Sequence, residues 1–377
     1  MHYDDRLTIV LTLKDRVPFT LRWMAYAEHV RLPFRVLIAD GGTDQQVADL
    51  LSDPARFPSV RYEYVRYPAD QSLSDYYRKL ADATARVQTP YLVMGDNDDL
   101  FVVEGLLHCL DYLDAHPGVF GCEGEPVSFN VETPPALSNL HLVYGRARFH
   151  NAEFRQQPGI RSITGATAEQ RVLSAMTAVS TWYAVFRSQA RAAHYAILRD
   201  LNPTDLLVGE FMMMALSVVP GDLHREPILH LLRQADDIES SGRDTLRRAD
   251  GFDRMLWDTW SHDFTNAVNA ICRAVAAQDG ISQDDLIPSI KAAYRAYFFF
   301  SGLGVELARQ PPAMPAPRRA NGPLARLAAA DTPLRRGWRR LWNWHYQFSH
   351  GQHRVRWQRR AELRPIREFL AHPREIA

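Results

Sequence analysis

Through the first third of the chain, the spacing of apolar residues alternates between the dense aliphatic runs of buried strands and the three-to-four-residue spacing of helices. Leu7 to Leu13 is aliphatic and β-branched and ends in Lys14-Asp15-Arg16 ahead of Pro18, which predicts a strand, a polar turn and a helix from about Phe19 to His29. Phe34 to Ala39 predicts a second strand, ending at Asp40-Gly41-Gly42 with Asp44 just beyond, and Val47, Leu50 and Leu51 suit the next helix. Val60 to Val65 alternates as a strand with Tyr62 and Tyr64 on one face, and Ser74 to Arg86 follows as a helix. A fourth apolar strand begins at Tyr91 and leads into the acidic run, and Val103, Leu106, Leu107, Leu110 and Leu113 carry helical spacing after it. Strands alternating with helices imply an α/β fold with a mainly parallel sheet and right-handed crossovers. Asp15, Asp40 and the group Asp96 to Asp99 then share one edge, at the C-terminal ends of three strands, where open α/β sheets bind ligands.

Beyond this block the pattern loosens. Residues 124–171 carry Pro126, Pro134, Pro135 and Pro158 and predict an irregular connection over a substrate. Thr177 to Arg187 returns to strand composition, Asp205 to Val219 predicts a helix, and Pro227 to Leu232 a last short strand. Phe252 to Ala276 and Asp284 to Leu307 are helical by spacing. Pro311, Pro312, Pro315, Pro317 and Pro323 mark a linker. The expected division is an α/β domain at 1–240, a helical C-terminal extension at 241–310, a Pro-rich linker at 311–334 and a basic, Trp-rich segment at 335–377.

The 44 basic and 44 acidic side chains balance, so no global attraction to nucleic acid is implied and none is expected as a partner. The exception is local: Arg335 to Arg360 holds eight arginines, no acids, and Trp338, Trp342, Trp344 and Trp357. Three readings stand: peripheral contact with a membrane surface through 335–360, a site for an anionic partner, or a helix packing its tryptophans on the protein. Three widely spaced cysteines argue against a disulfide framework, and the N-terminus lacks the basic-then-apolar pattern of a signal peptide. A cytoplasmic location is expected, at the inner membrane if the basic segment makes that contact.

The run Thr89 to Asp99 concentrates the chemistry, delivering three carboxylates within four positions behind an apolar strand, with Gly95 expected to turn the backbone before them. A hard cation with oxygen ligands, Mg²⁺ or Mn²⁺, would offset that charge and bridge to phosphate oxygens. The competing reading is that Asp98 or Asp99 caps the following helix. Glu210, in the methionine-rich stretch Met212 to Met214, is expected to be partly buried with a raised pKa, which fits a general base as well as it fits a paired structural glutamate.

Three blocks, Thr8 to Thr12, Ile38 to Asp44 and Met94 to Asp99, resemble in order and spacing the family 2 type of glycosyltransferase with a GT-A fold, over roughly the first 240 residues. That resemblance implies a nucleotide-sugar donor, usually UDP-linked, a glycan or glycoconjugate acceptor, a bridging Mg²⁺ or Mn²⁺, and inversion at the transferred sugar. It carries donor binding to Thr12, Asp15, Arg16, Asp40, Lys79, Asp96 and Asn97, and metal binding to Asp96 and Asp98. Arg78 and Lys79 stand where the family has an Asn-rich stretch and are expected to contact the diphosphate. The family's Glu-Asp pair maps onto Glu210 with Phe211 in place of the second acid, so the base falls on Glu210, with Asp205, nearer the helix start, as second choice.

Overall fold

The computed structural model describes residues 5–150, 162–176, 181–235, 258–298 and 360–373. Four strands, β1 (Leu7–Leu13), β2 (Arg35–Asp40), β3 (Tyr62–Arg66) and β4 (Tyr91–Asp96), run parallel in the order β3-β2-β1-β4. They alternate with α1 (Val17–His29), α2 (Gln45–Leu51) and α3 (Leu73–Ala85), and α4 (Val103–Ala115) follows β4. The expected α/β class, with a parallel core flanked by helices, is the one found. Every residue of β1 is buried, with Ile9 and Leu11 in one core and Val10 in the other, as befits the centre of a sheet covered on both faces. Register pairs Thr12 with Asp96 and Leu13 with Asp40, so the strand ends bearing acids lie side by side.

The second half of the sheet departs from expectation. It continues from β4 through a short antiparallel β8 (Val185–Arg187) to β6 (Val119–Glu132), β9 (Asp222–Gln234) and β5 (Leu100–Phe101), with β7 (Arg146–His150) alongside β6. The start of the segment predicted to be irregular, residues 124–132, instead belongs to the fourteen-residue strand β6. β6 and β9 pair in parallel and absorb Pro126 and Pro227 at shifts of register around Glu123 to Pro126, so neither proline ends its strand. The strand predicted over 177–187 is described only as Val185–Arg187, residues 177–180 lying outside the described set.

Two unpredicted helices, α5 (Ala168–Ala175) and α6 (Ser188–Leu201), join α7 (Leu206–Leu216), α8 (Asp258–Asp279) and α9 (Gln283–Phe298) over one face of the sheet. The other face is covered by α1, α2, α4 and a final helix, α10 (Arg360–Ala371), which buries Leu363, Ile366, Phe369 and Leu370. The predicted linker 311–334 and all of 335–360 before α10 lie outside the described residues. No described helix is long and apolar enough to cross a membrane.

Candidate metal centre

The acidic turn leaves β4 at Asp96 and is closed by the Asp99 amide donating to the Asp96 carbonyl at 3.3 Å. Gly95 does not make the turn. It is still paired with Leu11 inside the sheet, and a Cβ there would come within 3.0 Å of the Phe101 ring, so its role is close packing. Nor do Asp98 and Asp99 cap α4, whose N-cap is Val102 without any side-chain hydrogen bond. The capping explanation for this acid cluster therefore falls away.

Asp96, Asp98 and Asp99 each offer a carboxylate oxygen, and the three lie within 4.8 Å of one another, the one such grouping of three or more potential metal-ligating side chains among the described residues. Thr12 Oγ donates to Asp96 Oδ1 at 3.1 Å and Tyr183 Oη to Asp96 Oδ2 at 2.8 Å. Asp99 Oδ1 accepts the Gln234 backbone amide at 2.9 Å, while Arg233 approaches its other oxygen at 3.8 Å. Arg16 lies 3.6 Å from Asp98, over the Phe19 ring. Burial first, and the charge of Asp98 second, raise the pKa of Asp96 and raise that of Asp99 well above the carboxylate range. Three hard oxygen donors under mutual repulsion fit a divalent cation such as Mg²⁺ or Mn²⁺.

The neighbouring strand ends are tied to one another. Asp15 and Arg16 both adopt left-handed backbone geometry, at φ 56° and 60°. The Asp15 carboxylate there accepts from the amides of Thr43 at 2.6 Å and Asp44 at 2.9 Å, and these bonds, against a desolvation cost, lower its pKa. Asp40 is buried and accepts from the Gly42 amide at 2.8 Å and the Tyr64 hydroxyl at 2.6 Å, with Arg66 3.6 Å away. Burial and the Asp40 bond push the Tyr64 hydroxyl up to about 12.

Other predicted residues sit elsewhere. Lys79 is buried against Asp70 and donates to the Leu13 carbonyl at 3.0 Å, so its ammonium fixes the end of β1 rather than facing a diphosphate. Arg78 is exposed and pairs with Asp75 of its own helix. Asn97 is buried and donates to Thr20 Oγ at 3.0 Å, anchoring the turn to α1. Asp205 is the buried N-cap of α7, accepting from the amides of Leu207 at 2.8 Å and Val208 at 3.3 Å. Glu210 is exposed rather than partly buried, and accepts from Tyr297 Oη at 3.0 Å. The apolar neighbours that made it look buried, Met212 to Met214, form core on the other sides of the helix. His230 donates from Nε2 to the Tyr183 carbonyl at 2.8 Å, and burial pushes its pKa down to about 4.

The sequence reading missed Tyr183, Gln234 and Arg22. The Arg22 guanidinium is fully buried behind the turn and donates to the Asp98 carbonyl at 2.7 Å, Gln234 Oε1 at 2.7 Å and the Val143 carbonyl at 3.0 Å. Its burial pulls the pKa down to about 10. An arginine between Phe19 and Trp23 on a buried helix was the available signal.

No family model and no curated protein matches the sequence. Among solved structures, the chain is similar to TarS of S. aureus at 9% identity and a TM-score of 0.48, over 80% of this chain and 45% of that one. It therefore spans less than half the length of that protein. A form of TarS spanning residues 1–349, in complex with UDP-GlcNAc, is similar at 10% identity and a TM-score of 0.46, over 81% of this chain and 76% of that one. The mannosyltransferase PcManGT from Pyrobaculum calidifontis, in complex with GDP-Man and Mn²⁺, is similar at 16% identity and a TM-score of 0.39, over 81% of each chain.

Proposed function

We propose that the chain is a GT-A-type glycosyltransferase that moves a sugar from a nucleoside-diphosphate donor to a hydroxyl of a glycan or glycoconjugate. The observation that carries this reading is the cluster of Asp96, Asp98 and Asp99 at the C-terminal end of a central strand, its oxygens within 4.8 Å and free of helix capping. Asp96 and Asp98 would hold Mg²⁺ or Mn²⁺, which when bound neutralises charge on a departing diphosphate. The paired loops after β1 and β2, pinned through Asp15 and Asp40, form the nucleoside side of the site. Arg16 beside Asp98, and Arg233, whose side chain is 40% exposed beside Asp99, are the cations that meet the donor phosphates.

In the inverting reaction the acceptor oxygen bonds to the anomeric carbon as the bond from that carbon to the phosphate oxygen breaks, and the nucleoside diphosphate leaves. The acceptor proton goes to a carboxylate. Of the two bases considered, Glu210 is retained because it is exposed, whereas both amides at the start of α7 occupy Asp205. A thermal-shift screen of nucleoside diphosphates with and without Mn²⁺ tests the reading. Stabilisation by UDP or GDP that grows with Mn²⁺ is expected, and no response to any nucleotide would sink it. Glu210→Gln should keep nucleotide binding and lose transfer; normal transfer would remove Glu210 as the base.

A further inference from the structure

Arg22 of α1 and Gln234 of β9 hold the acidic turn, and Tyr26 of α1 holds the short strand that follows it. Arg22 grips the Asp98 carbonyl at 2.7 Å, the Gln234 amide grips the Asp99 carboxylate at 2.9 Å, and Tyr26 Oη donates to the Phe101 carbonyl at 2.9 Å. Arg22 and Gln234 also fasten the 142–143 segment, through the Val143 carbonyl at 3.0 Å and the Leu142 carbonyl at 2.7 Å. α10 packs on this same assembly. Its Phe369 ring meets Tyr26 edge-on at 5.4 Å, stacks with His29 at 5.4 Å and lies 6.0 Å from Tyr144, while the Leu370 carbonyl accepts the Gly145 amide at 2.8 Å. One helix from the far end of the chain thus touches both Tyr26 and the segment held by Arg22.

We infer that α10 is a brace for the acidic turn, with Arg22 the positioning residue that transmits its grip. A buried guanidinium that hydrogen-bonds three acceptors on three separate segments has one arrangement, so displacing the 142–145 segment shifts the Asp98 carbonyl with it. Tyr26 supplies a second, parallel connection to the strand just after the turn. The brace is read from contacts alone, and only its effect on cation binding rests on the proposed function.

The test uses the full-length chain, with Phe369→Ala and Arg22→Gln as separate variants, hydrogen exchange over residues 96–101 and 206–216, and titration with Mn²⁺ alone. Both variants should speed exchange at 96–101 by about tenfold while leaving 206–216 unchanged. Each should also weaken Mn²⁺ binding by about tenfold, the scale seen when a supporting contact behind a metal ligand is lost. Should Phe369→Ala loosen the α10 amides while exchange at 96–101 stays at the wild-type rate, the brace is overturned, whether or not Arg22→Gln folds. If the wild-type chain binds no Mn²⁺ but exchange responds as expected, the brace stands and the metal reading fails.

Discussion

The acids at the end of β4 and the acids on the helical face are the same residue types put to opposite uses. On the helical face, Asp263 accepts the Thr204 amide and hydroxyl, each at 2.7 Å, and the Asp205 amide at 3.3 Å. Asp205 accepts the first amides of α7, and Asp279 accepts those of Ala168 at 2.8 Å and Glu169 at 3.1 Å at the start of α5. Backbone donors that no helix could satisfy internally meet these carboxylates, and the helix dipole favours their charge. Among the described residues no backbone amide donates to the carboxylate of Asp96 or Asp98; hydroxyls and an arginine approach them, and each faces other acids. An acid that caps a helix is structural, whereas acids crowded together beside an uncapped helix keep capacity for a cation.

That contrast is broken most sharply at Asp98. Asp98→Asn should reduce nucleotide-sugar turnover on the order of 10³-fold, as expected when several kcal/mol of charge stabilisation are lost. The melting temperature should stay level or rise, because the Asp98 charge no longer crowds the two carboxyls beside it. A variant that turns over donor normally, measured as released nucleoside diphosphate with Mn²⁺ present, would place Asp98 among the structural acids instead.

How much of this could be read beforehand follows from where the local signal is strong. β1 to β4 and their helices were legible because burial on both faces leaves unbroken aliphatic runs, and the register of those strands brought Asp40 and Asp96 together as expected. The core of β9 was legible as Pro227 to Leu232, but its extension back to Asp222 across Pro227, and β6 across Pro126, were hidden because only long-range pairing carries a strand past those prolines. α5 was hidden because a distant residue, Asp279, supplies part of its N-terminal capping. Glu210 misled because α7 is apolar on nearly every side, so the one exposed position resembled an interior acid. Asn97 and Lys79 have the right chemistry and stand next to the right motifs, but their side chains turn back to Thr20 and Asp70.

The two halves also differ in no obvious way in how they respond to acid, and this can be checked. His230 sits behind the acidic turn with its pKa pushed down to about 4 by burial, and His194 on the helical face is pushed to about 3 by burial and then by Arg191. A histidine held neutral when folded stabilises fully above its unfolded pKa, and that stability is lost as pH falls through the window down to the folded value. Unfolding free energy measured by denaturant should therefore drop between about pH 6.5 and 4, with each histidine contributing up to about 1.4 kcal/mol per pH unit. His194→Gln and His230→Gln should each flatten that slope; a slope unchanged in both would show that other groups govern acid unfolding.

The smallest effect belongs to the capping acids, and it completes the comparison. Asp263→Ala removes the partner of three donors at the start of α7, which should cost about 1–3 kcal/mol of stability through lost capping and buried donors left unmet. Turnover per folded molecule should be preserved, because Asp263 holds Thr204 and Asp205 at the helix end rather than the clustered aspartates. Denaturant unfolding paired with turnover at saturating donor separates the two quantities. If Asp263→Ala lost turnover as steeply as Asp98→Asn while keeping its stability, the division between capping acids and cation-binding acids would be wrong, and Asp263 would belong with the reactive groups.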